Sequence, residues 1–420
     1  MGMGYFGLRI GDCGLRIADW GLGIVTEKPS PKCKVLQLCA VDFTLAKFLA
    51  PLCFRLQQEG FDVTAACTET VFMEPLRQKG LRCVHLPIAR SMSLRAHARS
   101  YRLLSAWLRR ERFDIVHVHT PIAALIGRLA AARRGVPIRI YTAHGFYFHD
   151  DMPALKRALH IGLERFGALF HDFLFTQSEE DRQAAIRLRI ARADRVLTIG
   201  NGVDLGRFDP GRFTAADRLA MRERLGIPAD ARVLGIIGRL VREKGYFELF
   251  RASAELAARF PDFRLVVIGD ALPSDHDDST PELQRLMDEL GIRGRIVFTG
   301  QRTDVPELLN AMDVFTLPSY REGMPRSVIE AMAMGLPCVV TDVRGCREEV
   351  VDGESGHIIP ARDAAALSRR CGELLADPAR ARGMGEAARR RATELFSEER
   401  VIQRQLAVYR DLMKKKGLEC

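Results

Sequence analysis

From residue 34 onward, short apolar segments alternate with longer amphipathic ones, and this alternation constrains the fold more than any other feature of the chain. The apolar segments have the length and composition of buried strands, and each is followed by a helix or a loop crossover. Strands joined in this way run parallel in one sheet. The pattern occurs twice, and it predicts two consecutive doubly wound units of the α/β fold class. Strands are predicted at 35–40, 63–67, 83–86, 115–118 and 138–142, and again at 233–238, 265–268, 296–299, 314–317 and 338–341; helices include 46–59, 246–259 and 326–334.

The join between the two series lies at residues 201–232, which are rich in Gly, Asp and Pro. We predict four regions, namely a disordered N-terminal extension (1–30), a first domain (31–204), a second domain (205–397) and a crossover helix with a tail (398–420). The extension carries a seven-residue repeat, and charges interrupt each of its apolar stretches, which argues against a signal peptide. The last helix, at 398–416, is long enough to reach back across both units.

Residues 319–335 place two carboxylates, Glu322 and Glu330, on either side of a predicted helix start. Pro325 is typical of a first helical position, and Gly335 of the residue just past a helix end. Free backbone amides at such a start can bind an anion, here a phosphate. Because carboxylates repel phosphate, we interpret both glutamates as acceptors of hydrogen bonds from hydroxyl groups. The pattern indicates a ligand with sugar rings on either side of a phosphate.

A second candidate segment, residues 238–245, follows the first strand of the second series, at the carboxyl edge where ligands bind in such sheets. Arg239, as a planar fork, and Lys244, as a point charge, can converge there on a diphosphate. The segment is not a P-loop, because the Gly-Lys-Ser/Thr ending is absent, and alone it is equally compatible with a surface turn. Together with Glu322 and Glu330 it predicts a nucleotide-sugar site.

Three histidines lie near the corresponding edge of the first series. His144 follows a predicted strand and precedes Gly145, which places its imidazole at the cleft; the alternative is a structural histidine among neighbouring aromatic residues. His117 and His119 share one face of a strand. If that strand ends at Val118, His119 already belongs to the loop at the cleft edge and is the better acceptor-side candidate. A metal site from this pair is disfavoured, because no third ligand is near in sequence.

With these motifs the chain resembles the retaining glycosyltransferases of family 4, which have the GT-B fold of two facing Rossmann-like domains. The resemblance covers about residues 34–415 and rests on motifs in the family's order: His117-Val118-His119, Thr142-Ala143-His144-Gly145, Asn201-Gly202-Val203-Asp204, 238–245, and Pro318-Ser319 leading to Glu322 and Glu330. It implies that Arg239 and Lys244 hold the donor diphosphate. The other implied donor-binding residues are Gly238, Glu322, Gly323, Met324, Pro325 and Glu330, with Glu330 on the ribose and Glu322 on the transferred sugar. His144 would contact that sugar or position the acceptor hydroxyl.

The resemblance also implies a mechanism. Its leaving group is a diphosphate that needs no general acid, so Arg239 and Lys244 would stabilise the developing charge without a metal or another cofactor. Glu322 and Glu330 could instead suggest the carboxylate pair of a glycosidase, but their setting between cations and a phosphate site makes both ionised hydrogen-bond acceptors. One departure concerns residues 41–45, where many members have a glycine-rich turn and this chain has no glycine. Amides could still serve there, and Asp42 could equally be directed at the acceptor.

The formal net charge of +10 comes from the first domain, which has 26 Lys and Arg against 16 Asp and Glu, whereas residues 205–420 have 34 of each. Seven arginines cluster around one predicted helix, namely Arg90, Arg95, Arg99, Arg102, Arg109, Arg110 and Arg112. This composition resembles a basic amphipathic surface for anionic lipid headgroups, and a solvated helix face is the equal alternative. Aromatic residues are not interleaved, which argues against nucleic acid as a partner.

The expected compartment follows from two further observations. Ten cysteines without paired spacing predict thiols in a reducing compartment, and no apolar run reaches the roughly 18 residues that span a bilayer. We therefore expect a cytoplasmic protein. Residues 42–51 and 142–149 look most like family members that extend lipid-linked saccharides, and this resemblance, together with the basic first domain, implies a peripheral position on the inner face of the cytoplasmic membrane.

The expected function is the transfer, with retention, of a hexose or N-acetylhexosamine from a nucleotide diphosphate sugar to a saccharide or a polyprenyl-diphosphate-linked acceptor in glycan synthesis. UDP is the default nucleotide on family frequency. One alternative is a nucleotide-sugar 2-epimerase of the same fold, which would need an acid in the first domain, for which Asp42 is the candidate. The other is a non-catalytic GT-B-like membrane scaffold, which would not need the complete set of Arg239, Lys244, Glu322 and Glu330.

Overall fold

The computed structural model describes residues 33–88, 93–149, 152–271 and 279–418, and the predicted N-terminal extension lies outside them. The strands of the first sheet are β1 (Lys34–Val41), β2 (Asp62–Thr68), β3 (Arg82–His85), β4 (Ile115–His119), β5 (Ile138–Ala143), β6 (Phe173–Thr176) and β7 (Val196–Thr198). Those of the second are β8 (Val233–Ile237), β9 (Arg264–Ile268), β10 (Ile296–Gly300), β11 (Val314–Leu317), β12 (Cys338–Thr341) and β13 (Gly356–Ile359). The strand orders are β3-β2-β1-β4-β5-β6-β7 and β10-β9-β8-β11-β12-β13, and neighbouring strands are parallel. The predicted fold class, with two doubly wound parallel sheets, is confirmed.

Helices connect the strands on both faces of each sheet. In the first half of the chain they are α1 (Asp42–Thr44), α2 (Ala50–Gln58), α3 (Glu74–Gln78), α4 (Leu94–Glu111), α5 (Pro121–Arg133), α6 (Ala154–Ala168) and α7 (Glu179–Arg187). In the second half they are α8 (Ala215–Arg224), α9 (Tyr246–Arg259), α10 (Thr280–Glu289), α11 (Val305–Asn310), α12 (Arg326–Ala333), α13 (Cys346–Glu349), α14 (Ala364–Ala376), α15 (Pro378–Leu395) and α16 (Glu398–Lys416).

Both faces of the first sheet are buried. Helices α4 to α7 cover one face, where Leu104 and Ile161 join Val118 in one core cluster. Helices α2, α3 and α16 cover the other face, where Leu52 and Leu406 belong to a second cluster. The second sheet and its helices share one continuous core. Burial on both faces explains why the strands read as continuous apolar runs rather than as alternating polar and apolar residues.

The chain passes between the two halves at two adjacent points. Val203 and Ser397 form a parallel bridge, with backbone hydrogen bonds of 3.0 Å from Val203 to Phe396 and from Glu398 to Val203. A Cβ on Gly202 would lie 2.7 Å from the Cα of Glu398, so this crossing requires glycine. Beyond it, α16 packs against α2 and β5 of the first half. The exact boundaries of the four predicted regions stay predictions.

The helix predicted at 46–59 differs in form from the prediction. The chain turns into α1 directly after β1, forms a π-helical segment at Leu45–Leu49, and only then begins α2. Pro51 has no N–H to donate to the carbonyl of Lys47, four residues earlier. That carbonyl instead accepts a 2.7 Å hydrogen bond from Arg326 of α12. The wide turn therefore coincides with a contact between the two halves.

Three strands of the structure were not predicted from the sequence. β6, β7 and β13 contain four, three and four residues. Each extends the edge of a sheet that its predicted neighbours already define.

Two findings bear on the expected compartment. No helix within the described ranges has both the length and the apolar composition needed to cross a bilayer. Seven of the described cysteines are free thiols, namely Cys39, Cys53, Cys67, Cys83, Cys338, Cys346 and Cys371. The compartment itself stays a prediction.

Candidate active site

The carboxyl edges of the two sheets face each other across a cleft of about 700 Å³. Most of the predicted site residues line it, namely His144, Gly238, Arg239, Lys244, Glu322, Gly323, Met324, Pro325 and Glu330. The structure thus brings the two predicted segments of the second half together and sets them opposite His144 of the first half. Their roles in binding stay predictions. Asp42 and His119 do not line this cleft.

The segment after β8 holds Lys244 in place through close backbone packing. A tight turn at Arg242–Lys244 ends at Gly245, whose φ is +73° and whose Cβ, if present, would overlap the carbonyl of Pro318. Only glycine tolerates both conditions. Lys244 Nζ then lies 2.5 Å from Glu322 Oε1, and both side chains are largely shielded from solvent. The cation and the carboxylate are therefore directly paired in the cleft.

The segment before α12 is also fixed by contacts from both halves. Asn201 Nδ2 donates a 2.9 Å hydrogen bond to the carbonyl of Met324. Pro325 precedes the helix in an extended conformation (φ −74°, ψ 111°), and α12 begins at Arg326, so the prediction of Pro325 as the first helical residue is wrong by one position. Its extended ψ turns the chain into α12 from a loop that Asn201 holds. Gly335, with φ +75°, follows the helix end as predicted.

Glu330 lies one turn into α12, beside Arg326, with Arg326 Nε and Glu330 Oε1 3.7 Å apart. Burial raises the pKa of Glu330 above its ordinary value, and the positive charges of Arg326, Arg207 and Lys47 oppose that shift. Glu330 lines the cleft together with Glu322, which lies in the loop before α12. The two glutamates thus have different partners, since Glu322 pairs with Lys244 and Glu330 faces arginine.

Gly145 and Gly323 let the two halves approach backbone to backbone, and Gly345 lets its own loop pack closely against Gly323 within the second half. A Cβ on Gly145 would lie 2.8 Å from the Cα of Gly323, and one on Gly323 would overlap the carbonyl of His144. A Cβ on Gly345 would overlap the carbonyl of Gly323. Side chains at these positions would push apart the loops that carry His144 and Glu322.

The predicted position of His119 is wrong. β4 includes His119, because it pairs with Thr142 of β5, and its side chain is 1% exposed. His119 Nδ1 lies 3.1 Å from His144 Nε2, and His119 Nε2 lies 2.9 Å from Gln37 Oε1. His119 therefore contacts His144 from behind and is not placed to touch an acceptor.

The histidines belong to a buried hydrogen-bond network that reaches α16. Gln37 Nε2 donates to Tyr409 Oη at 3.0 Å, and Tyr409 Oη lies 2.8 Å from His117 Nδ1. Burial lowers the pKa of His117 to about 3 and that of His144 to about 4, and it lowers the pKa of His119 well below its usual value. All three rings are therefore neutral near pH 7.

This network sets the proton positions on His144. Because Gln37 Oε1 is an acceptor, His119 donates from Nε2, and its neutral ring accepts at Nδ1. His144 must then donate from Nε2, which leaves its Nδ1 as a hydrogen-bond acceptor. Within the described ranges, no protein group donates to that Nδ1. The side chain of His144 thus offers an acceptor at the wall of the cleft.

The acceptor-side interpretation of Asp42 is also wrong. Its carboxylate is fully buried and accepts hydrogen bonds from the backbone N–H of Thr70 (2.6 Å), the hydroxyl of Thr70 (2.6 Å) and the N–H of Phe72 (3.0 Å). A carboxylate with three such donors is satisfied within the protein. Asp42 therefore fixes the loop after β2 and is not directed at a ligand.

Other residues of the cleft were missed by sequence reasoning. Lys47, Asn201, Arg207, Asp270 and Arg302 line it with the predicted residues. For Asn201 a signal was present, because it begins a motif that carries the family resemblance. Arg207, Asp270 and Arg302 lie in loops without a recognisable spacing, and Lys47 lies in the π-helical segment at Leu45–Leu49. Among the described residues there is no group of three or more His, Cys, Asp or Glu side chains able to hold a metal ion, and metal independence stays a prediction.

Comparison with known proteins identifies both halves of the chain. The family model described as Glycosyl transferase 4-like domain matches residues 44–202, and that described as Glycosyl transferases group 1 matches residues 217–391. The putative glycosyltransferase EpsD of Bacillus subtilis is 32% identical over 378 residues, which are 90% of this chain and 96% of the relative. The UDP-Gal:alpha-D-GlcNAc-diphosphoundecaprenol alpha-1,3-galactosyltransferase of Escherichia coli is 30% identical over 73% of this chain and 78% of its own.

Solved structures agree on the fold. Anabaena Alr3699/HepE, crystallised with UDP-glucose, superposes with a TM-score of 0.77 at 22% identity and covers 90% of this chain and 99% of its own. Sucrose-phosphate synthase of Thermosynechococcus elongatus also gives a TM-score of 0.77 at 22% identity, with 91% and 100% covered. The matched family models, the relatives and the two facing sheets lead to one conclusion: the chain belongs to the GT-B glycosyltransferases of family 4 and is a glycosyltransferase.

Proposed function

We propose that the protein transfers a hexose or N-acetylhexosamine, with retention, from a UDP-linked sugar to a saccharide or polyprenyl-diphosphate-linked acceptor in glycan synthesis. The observation that carries the proposal is the cleft, where Arg239, Lys244 and Glu322 of one half lie opposite His144 of the other. Cations and hydroxyl-binding carboxylates at one strand edge suit a diphosphate between two sugar rings.

The comparisons support the nature of both substrates. The name of the Escherichia coli relative specifies a UDP-sugar donor and a diphosphoundecaprenol-linked acceptor. Alr3699/HepE, which shares the fold, was crystallised with UDP and with UDP-glucose. These proteins support the same two substrate classes for this chain.

In the proposed reaction, the bond between the anomeric carbon and the diphosphate oxygen breaks, and its electron pair leaves with the diphosphate. Arg239 and Lys244 stabilise that charge. To bind the diphosphate, Lys244 gives up its contact with Glu322. The freed carboxylate of Glu322 then accepts a hydrogen bond from a hydroxyl of the sugar. The acceptor oxygen then bonds to the anomeric carbon on the same face, and its proton passes to an oxygen of the departing phosphate. Glu330 accepts hydrogen bonds from the ribose hydroxyls, and His144 Nδ1 accepts a hydrogen bond from a hydroxyl of the transferred sugar.

The proposal can be tested with a panel of nucleotide sugars in the absence of an acceptor. A transferase slowly hydrolyses its donor and releases nucleoside diphosphate. An epimerase yields a new nucleotide sugar, and a scaffold yields neither product; either outcome would overturn the proposal. The panel also reveals the donor through thermal stabilisation, because a ligand that binds only the native state raises the unfolding temperature.

The structure weakens the epimerase alternative. That reaction needs an acid in the first half of the chain, and the only candidate from sequence was Asp42. Its carboxylate is buried under three hydrogen bonds from Thr70 and Phe72. We retain the transferase as the function that the geometry supports best.

The acceptor class sets the place of action. We propose that the protein works as a peripheral protein on the inner face of the cytoplasmic membrane, where a polyprenyl-linked acceptor resides. The support is the basic surface of α4, on which Arg95, Arg99, Arg102, Arg109 and Arg110 are all exposed. Arg90 of the predicted cluster lies outside the described residues. Neutralising Arg99, Arg102, Arg109 and Arg110 together should remove salt-dependent retention on anionic liposomes; unchanged retention would contradict the role of α4.

A further inference from the structure

The outward side of α6 carries a continuous row of large apolar side chains. Leu155, Leu159, Leu163, Phe166 and Leu169 recur at three- and four-residue spacing, and each is between 42% and 86% exposed. Ile161, on the opposite side of the helix, is buried against the first sheet. Single exposed apolar residues are normal, but a contiguous row marks an interaction surface. We call these five residues the α6 stripe.

Positive charge surrounds the α6 stripe. Helices α4 and α6 lie on the same face of the first sheet, on either side of α5, so their exposed sides point away from the sheet together. Between them they contain eight Lys and Arg residues but only two carboxylates. Both carboxylates are already paired, Glu111 with Arg82 and Glu164 with Arg128. The remaining surface therefore attracts anions.

The α6 stripe begins near the mouth of the cleft. Tyr147 follows the loop of His144, and its ring lies 4.5 Å from the ring of His160 on α6. Lys156 Nζ lies 5.6 Å from the same ring, and the guanidinium of Arg321, from the second half, lies 4.9 Å from it. Tyr147 thus connects the first turns of α6 with the loop that carries Glu322.

We propose that the α6 stripe inserts into the headgroup region of an anionic phospholipid bilayer and holds the cleft mouth next to that surface. Apolar side chains on one side of a helix with cations beside them are the pattern of interfacial helices. Anionic headgroups would neutralise the exposed arginines, whereas a second copy of the chain would place like charges against each other. The inference rests on the proposed function only in that a lipid-linked acceptor gives this position a purpose.

The test uses flotation of the full chain with vesicles of phosphatidylglycerol and phosphatidylcholine in equal parts, and with phosphatidylcholine alone. The triple variant Leu155→Glu, Leu159→Glu, Leu163→Glu should partition onto the mixed vesicles about tenfold or more weakly, because it removes apolar area and adds negative charge. The matched control is Leu219→Glu on α8, a leucine that is 48% exposed in the second half. It should bind like the unaltered protein.

A second variant reports insertion directly. Leu159→Trp should show blue-shifted emission on mixed vesicles and quenching by lipids brominated in the upper acyl chain. Unchanged partitioning of the triple variant would overturn the inference, as would unquenched emission from bound Leu159→Trp. If the α6 stripe instead forms a dimer interface, the size of the unaltered protein in solution will increase with its concentration. The triple variant would abolish that increase without changing vesicle binding, and this result would also overturn the inference. The triple variant and the unaltered protein should hydrolyse the donor equally fast in the absence of an acceptor. If neither protein hydrolyses the donor, that result counts against the proposed function and not against the role of the α6 stripe.

Discussion

At the scale of single residues, the contact between Lys244 and Glu322 explains how the cleft can remain stable without a ligand. The two groups are 2.5 Å apart and mostly shielded from solvent, where an unpaired charge would be costly. The pair neutralises both groups until a substrate arrives. A diphosphate can then take the place of Glu322 beside Lys244, and a sugar hydroxyl can donate a hydrogen bond to the freed carboxylate, so each group keeps a polar partner.

We predict that Lys244→Ala lowers kcat by roughly 100-fold or more, because it removes a positive charge from the developing diphosphate. Turnover of the donor, with and without a saccharide acceptor, measures the effect, and circular dichroism checks the fold. Arg242→Ala is the matched control, since Arg242 lies two residues away, outside the lining of the cleft, and pairs with Glu282. Near-normal turnover in Lys244→Ala would contradict the diphosphate assignment.

Glu349 is a buried carboxyl group that lies near Glu322 and has no role in the proposed chemistry. It is fully buried, and neither of its oxygens has a hydrogen-bond partner among the described residues. Burial raises its pKa well above the ordinary value of 4.5. The folded protein therefore keeps a proton that the unfolded chain releases, so stability should fall as the pH rises from 4.5 towards the folded pKa.

We predict that Glu349→Gln removes this loss. The advantage of the variant over the unaltered protein should grow by up to about 1.4 kcal/mol per pH unit above pH 4.5. Urea denaturation between pH 5 and pH 8 measures it, and Glu354→Gln, at an exposed position nearby, is the control. A difference that stays constant with pH would show that Glu349 is ionised in the folded protein.

At the scale of elements, α16 contributes a polar contact to the interior of the first half as well as apolar packing. Tyr409 bonds both Gln37 of β1 and His117 of β4, and through Gln37 it is linked to His119 and His144. The orientation of the Gln37 amide decides which nitrogen of His144 carries the proton. A helix that follows the second half in the chain therefore influences a side chain at the first wall of the cleft.

We predict that Tyr409→Phe destabilises the protein by about 1–3 kcal/mol, because it leaves Gln37 Nε2 and His117 Nδ1 buried without their partner. Nitrogen-15 spectra of the histidine rings should show a change in the tautomer of His117 as well. Tyr101→Phe is the control, since the hydroxyl of Tyr101 makes no hydrogen bond to any described residue. Unchanged stability and spectra would indicate that water replaces the hydroxyl.

The elements also show what the sequence could and could not predict. Local patterns in the sequence predict the parallel strands, the segment at 238–245 and the two glutamates around α12. The structure brings that segment and the glutamates together in one cleft. The π-helical segment could not be predicted from the neighbouring sequence. The carbonyl that Pro51 leaves without a donor accepts a hydrogen bond from Arg326, which belongs to the second half. His119 and Asp42 were misplaced for a similar reason: pairing with Thr142 and bonding to Thr70 are contacts between elements that no spacing reveals.

At the scale of the whole molecule, a group of contacts outside the cleft holds the two halves together. Arg344 of the second half pairs with the fully buried Asp181 and donates to the carbonyls of Phe146 (3.5 Å) and Phe148 (3.0 Å). Glu348 accepts from the first backbone N–H groups of α7, at 2.8 and 3.0 Å. These contacts hold the loop that follows His144, so the distance between the halves and the position of that loop are coupled.

We predict that Arg344→Ala opens the molecule, with a larger radius of gyration in small-angle scattering and a higher KM for the donor. Stability should fall by roughly 3–5 kcal/mol, because the mutation leaves Asp181 buried without its partner. Arg347→Ala is the control, since Arg347 is 43% exposed and makes surface contacts of little energetic weight. An unchanged radius of gyration would show that the cleft contacts alone hold the halves together.

The path of the chain also has a consequence for biosynthesis. Helix α16 supplies Val401, Ile402, Leu406, Tyr409 and Leu412 to the core of the half that is translated first. Domains usually fold in the order in which they leave the ribosome. Here the first half emerges early, and α2 and α3 can cover part of one face of its sheet, but the rest of that face stays uncovered until residues 398–416 have been synthesised. The second half, whose core is contained in one stretch of chain, can complete its folding earlier, so the order of folding should be the reverse of the order of translation.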